Sequence, residues 1–360
     1  MNKLFVLSIV LLTTTGCSSA SYLVQAGRGQ LAIYNRERPL EEVIQDDRVS
    51  LSLRNQLREV PEIKAYVAKT LGVAATSNYK TFSDLKRKYA IWVLSSSARF
   101  ELKLKTWSFP IVGTFPYLGF FDEEMAREWS AREQAEGQDT YVRGASAYSM
   151  LGFLREPLLS TMLQGRKEDL VNLIFHETLH SHVYLDGQGA FNEQIASYFG
   201  DYGELQYLVE NFGSESEQVQ IWKKNREDRR RMGALLREFE RELAALYENI
   251  KNLSNAEKEQ KKKLAFDLFK RRVNAVKWHR ARTGEYLSER VTNNATVLAF
   301  LTYEDEQGLY DLLHEKSKGD LAVSLRLVQE FAKHYASSKA AEKPQRLLES
   351  FLRERTKQPL

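Results

Sequence analysis

His176, Glu177 and His180 carry the clearest chemical signal in the sequence. No histidine precedes His176, and then three fall within seven residues: His176, His180 and His182. The first two frame His176-Glu177-Thr178-Leu179-His180, an HExxH sequence. Side chains four apart share one face of a helix, so both imidazoles can reach a single ion. Glu177, next to the first of them, can point toward a water on that ion and serve as its base. A catalytic zinc site needs a third protein ligand and one open position. Glu193 supplies that ligand if the chain reverses at Asp186-Gly187-Gln188-Gly189 and a second helix, opening with Phe191-Asn192-Glu193, packs antiparallel on the first. The competing role for Glu193 is an exposed first-turn carboxylate that favours the helix dipole. His182 falls on the far side of such a helix and reads as structural. His279, His314 and His334 read as surface or packing residues. Asp201 is either a partner that orients a ligand histidine or a solvated helix-end aspartate.

The elements that must hold these residues are mixed. Lys167 to His182 and Ala190 to Phe199 read as the two helices of the site, with Leu170, Leu173, Ile174 and Phe175 as apolar flank. Upstream, Arg48 to Leu71 has helical spacing interrupted by Pro61. Tyr89 to Leu94, Phe100 to Leu104 and Thr140 to Ser149 have strand composition. Asp122 to Glu136 is a helix with an acidic first turn. After Ser214 the chain becomes highly charged and nearly free of glycine and proline. Ser216 to Ile250 and Ala256 to Arg282 read as a helical hairpin. Its basic runs, Arg229-Arg230-Arg231 and Lys261-Lys262-Lys263, are either a polyanion patch or solvated helix faces. Asn293 to Tyr303 and Asp320 to Tyr335 return to ordinary amphipathic helices.

Composition narrows the class. The 360 residues are 43% hydrophobic and 28% charged, enough to build a core and too apolar for a disordered chain. Lysine plus arginine exceed aspartate plus glutamate by 52 to 48, a margin of +4 that argues against a nucleic-acid binder. A single cysteine excludes an internal disulfide. That cysteine, Cys17, follows Lys3, the apolar run Leu4 to Leu12, and Thr15-Gly16. The arrangement looks like a lipoprotein signal in which Cys17 is acylated, although Thr14 stands where leucine is usual. The alternative is an ordinary cleaved signal. Ser18, rather than aspartate, then points to the outer membrane, with the protein facing the periplasm.

Asn192-Glu193-x-x-Ala196 resembles the third-ligand motif of gluzincin aminopeptidases. More broadly, the chain is similar to the predicted-aminopeptidase family of bacterial lipoproteins. The similarity runs through Tyr22 to Gly27, Trp107 to Gly113, Pro116 to Phe121, Ala147 to Gly152, Phe175 to His180, Phe191 to Glu193, and Asn293-Asn294-Ala295 with Tyr303. It implies zinc bound by His176, His180 and Glu193, with Glu177 as base. One departure stands out. Aminopeptidase N-like enzymes carry Gly-x-Met-Glu-Asn on a strand before the metal helix, and its glutamate holds the substrate's amine. Here the similarly spaced strand reads Gly144-Ala145-Ser146-Ala147-Tyr148, without a carboxylate.

Together these readings predict an α+β, mainly α fold with a zincin-like core. A small N-terminal sheet would lie beside two antiparallel metal-bearing helices, and a projecting charged hairpin would belong to a helical C-terminal half. Residues 1–16 are the signal, 17–213 the catalytic core, 214–282 the hairpin insertion, and 283–360 complete the core. The expected activity is zinc-dependent peptide hydrolysis, as an aminopeptidase in the cell envelope. Tyr148 or Tyr303, among 17 tyrosines, would stabilise the oxyanion. The expected partners are a peptide substrate, membrane lipid through Cys17, and a protein at the hairpin. The rivals are a catalytically silent zincin-fold scaffold and a metal-dependent amidase or endopeptidase acting on cell-wall peptides.

Overall fold

The computed structural model describes residues 21–109, 113–148, 155–302, 308–338 and 343–355. Residues 1–16, read above as a signal, together with Cys17 and Tyr303, lie outside them. The fold is α+β and mainly helical, with small sheets. A helix over 21–34 (α1) leads into β1 (Glu37–Pro39), α2 (Leu40–Gln45) and α3 (Leu51–Leu71). Pro61 lies inside α3 without breaking it, because Leu57, Val60, Ile63 and Val67 bury one continuous stripe that outweighs the lost hydrogen bond. β2 (Thr81–Ser83) sits between β1 and the later β8 (Leu158–Leu159) in one three-stranded sheet.

The second sheet matters for the site. Its central strand β3 (Ile91–Ala98) is flanked by β6 (Leu118–Phe120) and β7 (Gln138–Ala145), both antiparallel. β4 (Trp107–Phe109) and β5 (Gly113–Phe115) form a separate hairpin. In the register Val93 opposes Arg143 and Leu94 opposes Val142. Because side chains alternate across a strand, Leu94 and Val142 pack toward α4 (Glu123–Ala135), whereas Val93 and Arg143 line a cavity on the other face. Phe100 to Leu104 does not form the expected strand. A single bridge, Leu104 to Ser97, remains, since Phe100 and Leu102 turn aside to pack on the later helices.

α5 (Lys167–His180) and α6 (Gly189–Phe212) pack directly on each other. Gly203 permits this: a Cβ there would lie 2.3 Å from the ring of Phe175, which is fully buried. Across the same contact the Asn172 amide of α5 donates to Asp201 (3.2 Å) and Glu204 (3.0 Å) of α6. Asp201 is therefore not a solvated helix-end residue.

The hairpin consists of α7 (Glu217–Asn249) and α8 (Asn255–Ala275), the second helix ending earlier than its composition suggests. It does not project. Near its start, α7 sets Arg226 and Arg229 against Asp201, at 3.3 and 2.9 Å. Near its end, Tyr247 donates to Asn294 (2.6 Å) at the start of α10 (Asn294–Leu301). From α8 the buried Lys262 ammonium reaches Asp139 of β7 and the Arg99 carbonyl. Phe239, Phe269 and Val273 share one apolar cluster with Leu287 of α9 (Ala281–Arg290) and Val297 of α10. Burying these faces outweighs extension into solvent. Neither reading of the basic runs holds throughout. Arg229, Arg230 and Lys262 bond within the protein, and Lys263 pairs along its own helix with Asp267. The chain closes with α11 (Leu309–Lys316), α12 (Leu321–Ser338) and α13 (Pro344–Glu354). Among the described residues no helix is long and apolar enough to cross a membrane.

Gly203→Ala should lower stability by about 1–2 kcal/mol in urea unfolding, since overpacking against Phe175 exceeds the helix-propensity gain. Glu204 tests the electrostatics of the same contact. Burial, reinforced by Asp201, pushes its carboxyl up to about 7 against the opposing pull of Asn172 and Arg229. Folding thus takes up a proton, and ionisation of this group weakens the fold progressively as pH rises from the ordinary carboxyl range through 7. Glu204→Gln should give a small gain at pH 5 and a gain about 2 kcal/mol larger at pH 8.

Candidate metal centre

The site is built on a short turn between two helices. α5 places His176 and His180 one turn apart, so both rings leave the same face. Their Nε2 atoms lie 3.2 Å from each other. After α5 the chain turns through residues 181–188 and enters α6. Asn192, buried in the first turn of α6, holds that turn from both sides. Its Oδ1 accepts from Leu185 N (2.9 Å) and its amide donates to Leu185 O (2.8 Å). The next residue, Glu193, is thereby set against the histidines. Glu193 Oε2 is 3.5 Å from His176 Nε2, and Oε1 is 3.8 Å from His180 Nε2. His182 lies past the end of α5, its Nδ1 2.9 Å from the Thr178 carbonyl, and takes no part.

These distances suit a cation. One ligand atom from each of the three residues lies within 4.8 Å of the others, the only such grouping of histidine, cysteine, aspartate or glutamate among the described residues. A tetrahedral ion with bonds of about 2.0–2.1 Å separates its ligand atoms by about 3.3 Å, close to the 3.2, 3.5 and 3.8 Å found here. Two imidazole nitrogens facing each other can share at most one proton when both rings are neutral, whereas a cation serves both lone pairs. Burial, then the neighbouring His176, lowers His180 to about 4, so its ring is neutral at pH 7 and able to ligate. For Glu193, burial raises the carboxyl, but the histidines and Arg143 outweigh it and hold the group below its ordinary value.

Glu177 lies beside this triad and is buried, with Oε2 lacking any hydrogen-bond partner. Burial raises its carboxyl to about 7, opposed by His176 and reinforced by Glu156 and Glu193. A carboxyl poised there can exchange protons at neutral pH. The triad opens into a cavity of about 1170 Å³ that Glu177 also lines. One side of the cavity is the face of β3 and β7, the other is α5, and α1 contributes Tyr22, Ala26 and Gln30. β7 is an edge strand: its inner edge pairs with β3, and the described residues supply no strand for the other.

Tyr148 lines the same cavity, but its hydroxyl donates to Gln30 of α1 (2.6 Å), and burial raises its pKa well above the ordinary tyrosine value. Tyr303 is not among the described residues. The motif around Glu193 includes Asn192 without giving it a role, and sequence spacing does not single out Tyr141 or Tyr286, which border the cavity. Strand alternation from Arg143 would have found Tyr141. Asn192, seven residues after Leu185 across a turn, has the residue type that brackets backbone groups. Asp201 faces Arg226 and Arg229, and no hydrogen bond from it to either triad histidine is present among the described contacts.

No curated protein and no solved structure matches the chain. A family model described as "Putative aminopeptidase" matches residues 21–345, from the first turn of α1 into the first turn of α13. That span takes in every element of the cavity and the triad, and the chain belongs to this aminopeptidase family.

Proposed function

We propose that the protein is a zinc-dependent peptidase, held in the cell envelope through acylated Cys17 and facing the periplasm. The observation that carries this reading is the approach of two imidazole nitrogens and one carboxylate at the spacing of a tetrahedral ion's ligands. His176, His180 and Glu193 would hold the ion. Once bound, it would polarise the scissile carbonyl and make a water molecule more acidic. Glu177 would accept that water's proton and hand it to the departing amine, a task suited to a carboxyl near 7. The open edge of β7 would align the peptide backbone by strand pairing. The oxyanion would need a donor, and Tyr148 could serve only after leaving Gln30; Tyr303 is the other candidate.

The family description favours an aminopeptidase. One observation favours a second reading, an amidase or endopeptidase acting on cell-wall peptides. Among the described residues, the carboxylates lining the cavity are Asp169, Glu177 and Glu193. Asp169 caps the start of α5 through Arg166, so the described residues assign no additional acid to receive a free α-amine.

The purified protein should contain one zinc per chain, removable by a chelator, and should hydrolyse peptides. Glu177→Gln should keep the zinc and the fold while turnover falls by about 10²–10⁴-fold. Retained turnover would rule out Glu177 as base, and a wild-type protein with zinc but no hydrolysis would indicate the silent scaffold. Products from free and blocked N-termini separate exopeptidase from endopeptidase. Cys17→Ser should move the protein from the membrane fraction to the soluble fraction; unchanged partitioning would exclude acylation as its anchor.

A further inference from the structure

The cavity is larger than the triad requires, and one end of it is a distinct wall. α1 runs along the outer edge of β6, where a further strand could have added. Gln25 satisfies that edge with its side chain, donating to Gly119 O (3.1 Å) and accepting from Phe121 N (3.3 Å). Tyr22 accepts from Gly119 N (3.3 Å). Gly29 lets the helix settle onto Phe121, since a Cβ there would fall 2.1 Å from the ring. The Tyr148 hydrogen bond to Gln30 closes the corner, and Tyr148 meets Phe121 edge-on at 5.6 Å. α1 is therefore anchored at four points, Tyr22, Gln25, Gly29 and Gln30.

The surface presented at this end is aromatic. Tyr22 and Ala26 of α1 face the cavity together with Phe115, Tyr117, Phe121 and Tyr148. With five aromatic rings and the small side chain of Ala26 in its lining, this part of the cavity is an apolar recess, the type of surface that rewards burial of a large apolar group. The recess is continuous with the triad, Glu177 and the β7 edge within the one cavity.

We propose that this recess receives a bulky apolar side chain of the substrate, with α1 as the element that sets the preference. The substrate class is a peptide or peptide-like amide with an aromatic or long aliphatic residue near the bond to be cut. This rests on the hydrolase reading for its turnover consequence, whereas the recess itself depends only on the cavity.

The experiment uses the full zinc-loaded chain in detergent. Peptides of one length are compared with Phe, Leu, Ala, Asp or Lys varied at each position in turn. At one position, Phe and Leu should exceed Ala and Asp by at least about 30-fold in kcat/KM. Ala26→Trp should lower kcat/KM for the Phe peptide by at least about tenfold while moving the Ala peptide by less than about threefold. Gly27→Phe is a second filler on the same helix, at a cavity-lining position where no atom lies within 4 Å of an added Cβ. Zinc content and thermal unfolding report whether each variant is intact. Equal preference across the series, or a uniform loss in both variants, overturns the proposal. If the wild type cleaves nothing, the hydrolase reading fails separately, and calorimetry with phenylalaninamide and alaninamide decides the recess. Tighter phenylalaninamide binding that Ala26→Trp abolishes supports it, and equal binding overturns it.

Discussion

The structure depends on how closely α5 approaches α6. His176 and His180 leave one helix and Glu193 the other, so the triad exists only where the two lie against each other. Gly203 removes the side chain that would hold the helices apart, and the Phe175 ring takes its place. At the other end Asn192 bridges to Leu185 twice and fixes how α6 begins. Between these two constraints the donor atoms arrive within 3.2 to 3.8 Å of one another. Glu193 and His176 attract one another across this gap, while the facing imidazoles of His176 and His180 are held together by the packing of their shared helix.

That packing is partly ionic, and it gives part of the charge of the C-terminal half a place in the fold. The arginines of α7 meet Asp201, which lies on the same helix as Glu193, and Arg226 also stacks on Tyr202 at 4.6 Å. Removing one partner of such a buried group leaves the other charge uncompensated, which costs more than the pair contributes. α7 is thus a brace lying behind the metal-type triad. Three of its arginines, Arg226, Arg229 and Arg230, pair with two acids of the core, Asp201 and Asp311.

The parts of the site that follow helical periodicity are legible in the sequence. Four-residue spacing places His176 and His180 on one face, and the glycine-bearing turn before Phe191 brings Glu193 back toward them. The acidic first turn of α4 and the mainly helical C-terminal half are equally plain. What the sequence conceals are contacts between distant segments that leave no local pattern. Nothing in the spacing of Tyr22, Gln25 and Gln30 announces that α1 will seal the edge of β6. Lys262 reads as one of three consecutive lysines on a solvated face until Asp139 is seen beneath it. Phe100 and Leu102 look like strand residues because the same apolar character suits either a sheet or a helical cluster, and tertiary packing chose the cluster. Pro61 misleads for a related reason, since a buried stripe can carry a helix through a residue that would stop an isolated one.

Asp139 has a consequence for how the molecule assembles. Its carboxylate accepts from Lys262 on α8 and from the backbone N–H of Asn294 (2.8 Å), which opens α10. Lys262 and Asn294 lie 123 and 155 residues along the chain from Asp139, and both meet it at that one group. Joining them requires closing long loops before any favourable contact forms, which places this junction late in folding and slows it. Once it has formed, strand, hairpin and helix lose their independence. Local fraying at any of them must expose a buried charge, so these elements should open together as one cooperative unit.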